Sequence, residues 1–117
     1  MIIIFGKKLP DSKKIRYALT NIFGIGFASA NKICNILNIP NTVKISDLTE
    51  VQKQILIGYI KQNFIIESKL KQQIHSNIQD LIITNSVKGF RHRNKLPVRG
   101  QRTHSNAKTC KKINIKF

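Results

Sequence analysis

Apolar positions in the first half of the chain recur at helical spacing. Ile15, Ala18, Leu19, Ile22 and Phe23 stand at i, i+3, i+4, i+7 and i+8, one face of an amphipathic helix. Leu9-Pro10-Asp11-Ser12 ahead of them reads as a turn, with Asp11 or Ser12 as the capping side chain. Ala30, Ile33, Cys34 and Leu37 predict the buried side of a second helix, which Asn38 to Pro40 stops. Between the two, Gly24-Ile25-Gly26 permits a sharp reversal, so the pair makes a hairpin that buries Ile25. Thr49-Glu50-Val51-Gln52 matches a capping box and opens a third helix, with Leu48, Val51, Ile55, Leu56 and Tyr59 as its expected core face. A fourth helix runs from about Ser68 to Thr84 on Leu70, Ile74, Ile78, Leu81 and Ile82, and Asn85-Ser86 ends it. At the start, Ile2 to Phe5 is a β-branched and aromatic run closed by Gly6, either a short strand or an extended packed arm.

The pattern predicts an all-α fold, with a small helical domain over residues 1–85 and a basic, extended C-terminal tail over 86–117. Four short helices of this kind close one small core, burying about 60–65% of the unfolded surface. A partner that binds only the folded state adds to that stability by mass action.

Charge changes the picture at residue 86. All five acids (Asp11, Asp47, Glu50, Glu67, Asp80) come earlier, whereas residues 86–117 hold ten Lys/Arg and no carboxylate. Gly89, Pro97 and Gly100 break any long helix there, and Phe90, Leu96 and Val98 are too few for a core. Ordering each residue costs roughly 1–2 kcal/mol of backbone entropy, so the segment Lys88–Thr103 needs an outside ligand to order it. One-signed charge makes that ligand a polyanion. A membrane surface would require a continuous apolar face beside the cations, and after Gly89 the apolar residues are single and interrupted.

No apolar run approaches the roughly 18–20 residues of a membrane span. Met1-Ile2-Ile3-Ile4-Phe5, followed by Lys7 and Lys8, is too short for a signal peptide, so a soluble, non-exported protein is expected. Two cysteines, Cys34 and Cys110, fit a reducing compartment better than a disulfide scaffold. Ile, Asn and Lys make up 48 of the 117 residues, and Lys outnumbers Arg sixteen to five, the bias of an AT-rich genome such as that of an organelle, a parasite or an endosymbiont.

The expected affinity rests on Arg91, Arg93, Arg99 and Arg102. Guanidinium groups fork onto phosphates and stack on bases, which suits folded RNA better than regular duplex DNA. Lys88, Lys95, Lys108, Lys111 and Lys112 add point charges, and Gln101, Thr103, Ser105 and Asn106 add neutral donors and acceptors. His92 and His104, inside the basic run, can hydrogen-bond phosphate or stack on a base. Gly89 and Gly100 are expected to let the backbone approach the nucleic acid closely. Gly24-Ile25-Gly26 has two readings: a phosphate-binding hairpin at a helix start, or glycines that merely permit the turn. The second is favoured, because a lone Gly-x-Gly has little specificity. His75 reads as a solvated or partly packed side chain of the fourth helix. No metal site is expected, since the cysteines and histidines lack paired ligand spacing. The acids are scattered and no activated nucleophile is visible, so neither catalysis nor a cofactor is expected.

Lys88-Gly89-Phe90-Arg91-His92, then Leu96-Pro97-Val98-Arg99-Gly100-Gln101-Arg102-Thr103 and Asn106-Ala107-Lys108-Thr109, closely resemble the signature of the small-subunit ribosomal protein S-thirteen family. Ala18-Leu19-Thr20 running into Gly24-Ile25-Gly26, and Lys44-Ile45-Ser46-Asp47-Leu48-Thr49, fall where that family has its equivalents, so the resemblance covers essentially the whole chain. It implies a structural constituent of the small-subunit head, with an N-terminal domain of the helix-two-turns-helix type and a basic extension on ribosomal RNA. The implied partners are small-subunit ribosomal RNA, a neighbouring head protein of the S-nineteen family, large-subunit bridge components and peptidyl-site transfer RNA. The RNA role it implies falls on Arg91, His92, Arg93, Arg99, Gln101, Arg102, Thr103, Asn106 and Lys108, with Gly24–Gly26 as the family's hairpin.

Two departures stand out. Lys95 occupies a place where many relatives carry a small residue, often glycine, so a different local turn is expected. The chain also stops seven residues after Cys110, short of the Lys-rich tail of bacterial members, which puts the transfer RNA contact in question. The stretch Arg102–Cys110 is similar to mitochondrial members from plants and protists. With no presequence, that implies an organelle-encoded protein of the mitochondrial matrix, the alternative being the cytoplasm of an AT-rich bacterium. The competing function is a free-standing helix-hairpin nucleic-acid-binding module, motivated by Gly24–Gly26, and an enzyme is a third reading without a visible site.

Overall fold

In the computed structural model, which describes residues 2–113, the N-terminal apolar run is a strand. β1 (Ile2–Ile4) pairs antiparallel with β2 (Lys7–Leu9), Ile2 opposite Leu9 and Ile4 opposite Lys7. Phe5 and Gly6 join them with φ of +49° and +78°, the two positive values that a tight type I′ hairpin requires. Ile2, Ile4 and Leu9 are buried while Ile3 faces out. Over the described residues the protein is thus mainly helical with one two-stranded sheet, which corrects the all-α expectation. β2 has no sequence signal of its own, because two of its three residues are exposed lysines.

The chain divides into two compact units, Met1–Leu70 and Lys71–Phe117. In the first, α1 (Ile15–Leu19) is shorter than the apolar spacing suggests. Neither Asp11 nor Ser12 caps it. Lys14 holds the cap position without a side-chain bond, and the start is fixed by backbone pairing, Ile15 N–H to Val43 C=O at 3.0 Å and Ile45 N–H to Lys13 C=O at 3.3 Å. Beyond Leu19 the chain continues in three-residue turns (Ile22 N–H to Leu19 C=O, 3.1 Å; Ile25 N–H to Ile22 C=O, 3.1 Å). Ile22 and Ile25 therefore stay buried, whereas Phe23 is 43% exposed.

α2 (Phe27–Ile36) buries Ala30, Ile33 and Cys34 as its periodicity predicts. It ends in a Schellman turn: Asn38 takes φ +53°, its N–H reaches Asn35 C=O, and Ile39 N–H reaches Cys34 C=O. A 3-10 turn (Ile45–Asp47) leads to α3 (Glu50–Asn63), where the Thr49/Gln52 capping box is formed in both directions. The core face of α3 differs from expectation. Leu56 and Ile60 are buried, while Val51 and Ile55 are 65% and 53% exposed. Ile55, Leu56, Ile57, Tyr59 and Ile60 surround much of the helix, so apolar spacing does not select one stripe.

α4 (Glu67–Ile83) crosses the boundary between the units and buries no residue fully. The core, from Ile2 to Ile66, lies entirely in the first unit. In the second unit, α5 (Val87–Arg93) and α6 (Lys108–Lys112) break up what the sequence suggests is an extended tail. Residues 86–113 are short helices joined by turns.

Candidate nucleic-acid interface

The basic segment is shaped by backbone caps rather than by a core. Ser86 works in two directions: its hydroxyl donates to Leu81 C=O at 2.9 Å and accepts from Gly89 N–H at 3.1 Å, closing α4 and opening α5. Asn85, at φ +55°, completes a Schellman turn, with Ser86 N–H on Leu81 C=O. Gly89 is buried against that turn. A methyl built on it would overlap the Leu81 carbonyl and lie 2.7 Å from the Ile82 nitrogen. Its smallness therefore serves the crossing of α5 over the end of α4, and not the backbone approach to a ligand expected from sequence.

α5 ends in a third turn of the same type. Lys95 takes φ +56°, its N–H bonds His92 C=O at 3.2 Å, and Leu96 N–H bonds Arg91 C=O at 2.9 Å. Lys95 thus occupies the left-handed position where glycine is most at ease. The Arg91 Nε donates to the Pro97 carbonyl, which ties the following loop to the helix. Arg99 N–H donates to the Gln101 side-chain oxygen at 3.0 Å, and Gly100 turns the chain at φ +72°.

These constraints bring Arg91, Gly100, Gln101, Arg102, Thr103 and His104 around one open groove of about 620 Å³. His92, Lys95 and Arg99 stand around a neighbouring cavity that shares Gln101. Lys88, Arg93, Asn106, Lys108, Lys111 and Lys112 line neither and are exposed on α5, on α6 and on the loop between them. Arg91 and His92 are half-buried, and the other residues expected to contact RNA are exposed. Chemically, the groove offers guanidinium forks, a hydroxyl and an amide, a set that matches phosphate and ribose oxygens. Among the described residues no group of three or more His, Cys, Asp or Glu is placed to hold a metal ion.

Gly24, Ile25 and Gly26 belong to the first unit. Gly24 takes φ +108°, and a Cβ there would sit 2.8 Å from a Leu70 methyl and 3.1 Å from the Ile65 carbonyl. Ile25 is 3% exposed. Gly26 caps α2 without a side-chain bond and has open space where a Cβ would be. Gly24 is thus needed for the turn on two steric grounds, and Gly26 on neither.

Beside this turn lies a cluster that sequence reasoning missed. The Arg16 guanidinium sits 4.7 Å from the Tyr17 ring centroid and 4.9 Å from that of Phe27, and donates to the Tyr17 hydroxyl at 2.8 Å. Both rings are more than 40% exposed. The only signal for it was Arg16-Tyr17 on the polar side of the first helix, with Phe27 next to Gly26.

Fold and charge together define a small, basic, mainly helical protein with one well-cored unit and one held by caps and turns. The sequence model of the family described as Ribosomal protein S13/S18 matches residues 3–109. The chain is 43% identical over 113 residues to the Small ribosomal subunit protein uS13m of Marchantia polymorpha, covering 97% of this chain and 94% of that one. It is 42% identical over 111 residues to uS13 of Wolbachia pipientis wMel, covering 95% and 91%. Against uS13 of Thermomicrobium roseum it is 44% identical over 111 residues, covering 95% and 87%. The chain belongs to the ribosomal protein S13/S18 family, whose members are structural and not enzymes.

Proposed function

We propose that the chain is a structural constituent of the small ribosomal subunit head and holds ribosomal RNA through residues 86–117. The observation that carries this reading is a contrast within the second unit. Among its described residues only Gly89 and Pro97 are buried, yet residues 71–117 carry eleven Lys/Arg against the single acid Asp80. Such a surface repels itself and gains from a polyanion, because each phosphate contact releases condensed counterions. The contacts fall on Lys88, Arg91, His92, Arg93, Lys95, Arg99, Gln101, Arg102, Thr103, His104, Asn106, Lys108, Lys111 and Lys112.

The first unit, of the helix-two-turns-helix type, carries the contacts with a head protein of the S-nineteen family and with bridge components of the large subunit. The C-terminal segment approaches peptidyl-site transfer RNA. Similarity to uS13m and the AT-rich residue bias support a place in the mitochondrial matrix, with a bacterial cytoplasm as the alternative that similarity to the Wolbachia protein supports.

A second reading, a free-standing helix-hairpin nucleic-acid binder, is favoured by the exposed Arg16–Tyr17–Phe27 cluster beside the Gly24–Gly26 turn. A salt series of affinities for a small-subunit head RNA fragment and for duplex DNA of equal length separates the two. The ribosomal reading expects RNA preference, and a salt slope that drops by about 0.7–0.9 per phosphate-contacting residue replaced, as in Arg99→Ala or Arg102→Ala. Equal affinity for the two nucleic acids, with a slope unaffected by these replacements, supports the hairpin module instead.

A further inference from the structure

A cavity of about 330 Å³ lies in the second unit beside the RNA groove, and its walls are unlike the groove's. Ile78, Leu96, Pro97, Val98 and Ile113 make it largely apolar. Every charged or titratable group around it other than the Cys110 thiol is basic: His92, Lys95 and Arg99. Asp80, the one acid of this unit, is not among the lining residues.

We infer that this cavity receives one unstacked nucleobase of the bound RNA, its sugar-phosphate held by the basic rim. The inference rests on the RNA-binding reading above and deepens it. Three observations carry it. The volume is at the lower end of the roughly 300–1,000 Å³ range of small-molecule sites, room for one nucleotide and not for a stack or a helix. The wall is preorganised: Arg91 Nε holds the Pro97 carbonyl, and Leu96 N–H is fixed to Arg91 C=O at 2.9 Å, so a base entering orders little that is not already ordered. Charge complementarity then selects the occupant. An apolar floor alone would take a leucine or phenylalanine from a neighbouring protein equally well, but a rim of three basic groups without a carboxylate favours a ligand with an apolar plane and an anionic tail.

Named side chains have roles in this site. Arg99 and His92 offer flat cationic or aromatic faces on which a base stacks. Gln101 lines both the cavity and the groove. Its side-chain oxygen is taken by Arg99 N–H, which leaves the amide hydrogens for a carbonyl or ring nitrogen on the base edge. Lys95, exposed at the left-handed turn, supplies a charge for the phosphate.

The full chain carries its own reporter. Cys110 lines the cavity and is half-buried, whereas Cys34 is fully buried in the first unit and serves as the unreactive control. Iodoacetamide labelling of Cys110 is followed with and without a small-subunit head RNA fragment, in parallel with zero-length ultraviolet cross-linking, which requires a nucleobase against the protein. At RNA concentrations about ten times the dissociation constant, labelling slows by about tenfold, and cross-linked nucleotides map to Cys110 or to the Leu96–Val98 wall. RNA bound with full affinity, but with Cys110 labelled at the free rate and cross-links confined to the groove around Arg102, overturns the base site and leaves the RNA-binding reading intact. Protection of Cys110 only within assembled subunits, without a nucleobase cross-link there, overturns it in favour of a protein side chain. Failure of the chain to bind the RNA at all removes both readings. Inorganic phosphate is the last arm: protection by phosphate equal to that by adenosine 5′-monophosphate reduces the site to an anion site and likewise overturns the inference.

Discussion

Phe23 and Glu67, distant in sequence, hold each other by two hydrogen bonds. The Phe23 N–H donates to the Glu67 carboxylate at 2.9 Å, and the Glu67 N–H donates to the Phe23 carbonyl at 2.9 Å. The pair ties the loop after α1 to the first turn of α4, immediately beside the crowded Gly24. Glu67 accepts a φ of +50° to do so. Replacing Glu67 by alanine is expected to remove about 1.5–3 kcal/mol, the contribution of a hydrogen bond to a charged acceptor, while Glu67→Gln keeps an oxygen acceptor and loses less. Urea denaturation followed by circular dichroism reads both. Equal midpoints for the natural chain and Glu67→Ala would mean that water replaces the bond at no cost.

Gly89 is the corresponding close approach in the second unit. Its missing side chain leaves space that the Leu81 carbonyl fills, so Gly89→Ala forces α5 away from the end of α4 and strains the bond between Ser86 and Leu81. A loss of roughly 1–3 kcal/mol is expected, as for other overpacked sites. Amide hydrogen exchange locates it: protection falls across α5 and remains in Ile33, Leu56 and Ile60, whose core belongs to the first unit. Loss of protection in both places would show that the units unfold as one.

These two joints mark the limit of what the chain discloses as sequence. Local signals translated well: the Thr49/Gln52 box, the Ala30–Ile33–Cys34 stripe and the burial of Ile25 are all present, because each depends on a few neighbouring residues. Contacts between distant segments did not. The α1 start set by Val43, the Glu67 clamp and the Leu81–Gly89 crossing follow from one stretch of backbone meeting a distant segment, for which residue types give no periodic trace. The basic composition of the candidate interface was plain from charge alone. Its division into a groove and an apolar cavity depends on the Arg91–Pro97 tie, which spacing does not reveal.

Cys34 gives the first unit an alkaline weakness. Burial pushes its thiol above the ordinary value near 9, an effect that the nearby Arg16 charge only partly offsets. A group whose folded pKa is raised binds its proton more tightly in the folded state. Its stabilisation is therefore complete below the unfolded value and is lost as pH rises through 9 toward the folded value. Stability of the natural chain should thus fall more steeply than that of Cys34→Ala as pH rises through 9 and above, although the variant is weaker at neutral pH by about 1 kcal/mol. Parallel slopes for the two proteins would assign the alkaline loss to other groups.

Lys95 separates fold from function at a single position. It holds φ +56° at the end of α5, a conformation that an L side chain enters at a cost and glycine enters freely. Its side chain is exposed, so removing it opens no cavity. Lys95→Gly is therefore expected to leave stability unchanged or raise it by about 0.5–1 kcal/mol, relief of the strained backbone offsetting the greater freedom of the unfolded chain. The same change deletes one cation at the rim of the proposed base site. Binding to the head RNA fragment should weaken, and its salt slope should fall by about 0.7–0.9, the share of one phosphate contact. Lys95→Asn tests the charge part without the added backbone freedom of glycine, since asparagine tolerates the left-handed region, as Asn38 and Asn85 already do at the ends of α2 and α4, yet carries no charge. Its affinity should match that of Lys95→Gly while its stability stays near that of the natural chain. A lysine kept here for its charge alone predicts that affinity falls for both variants and stability for neither. A loss of stability in Lys95→Gly would mean that the aliphatic stem of Lys95 packs against the cavity wall and contributes more than the turn costs.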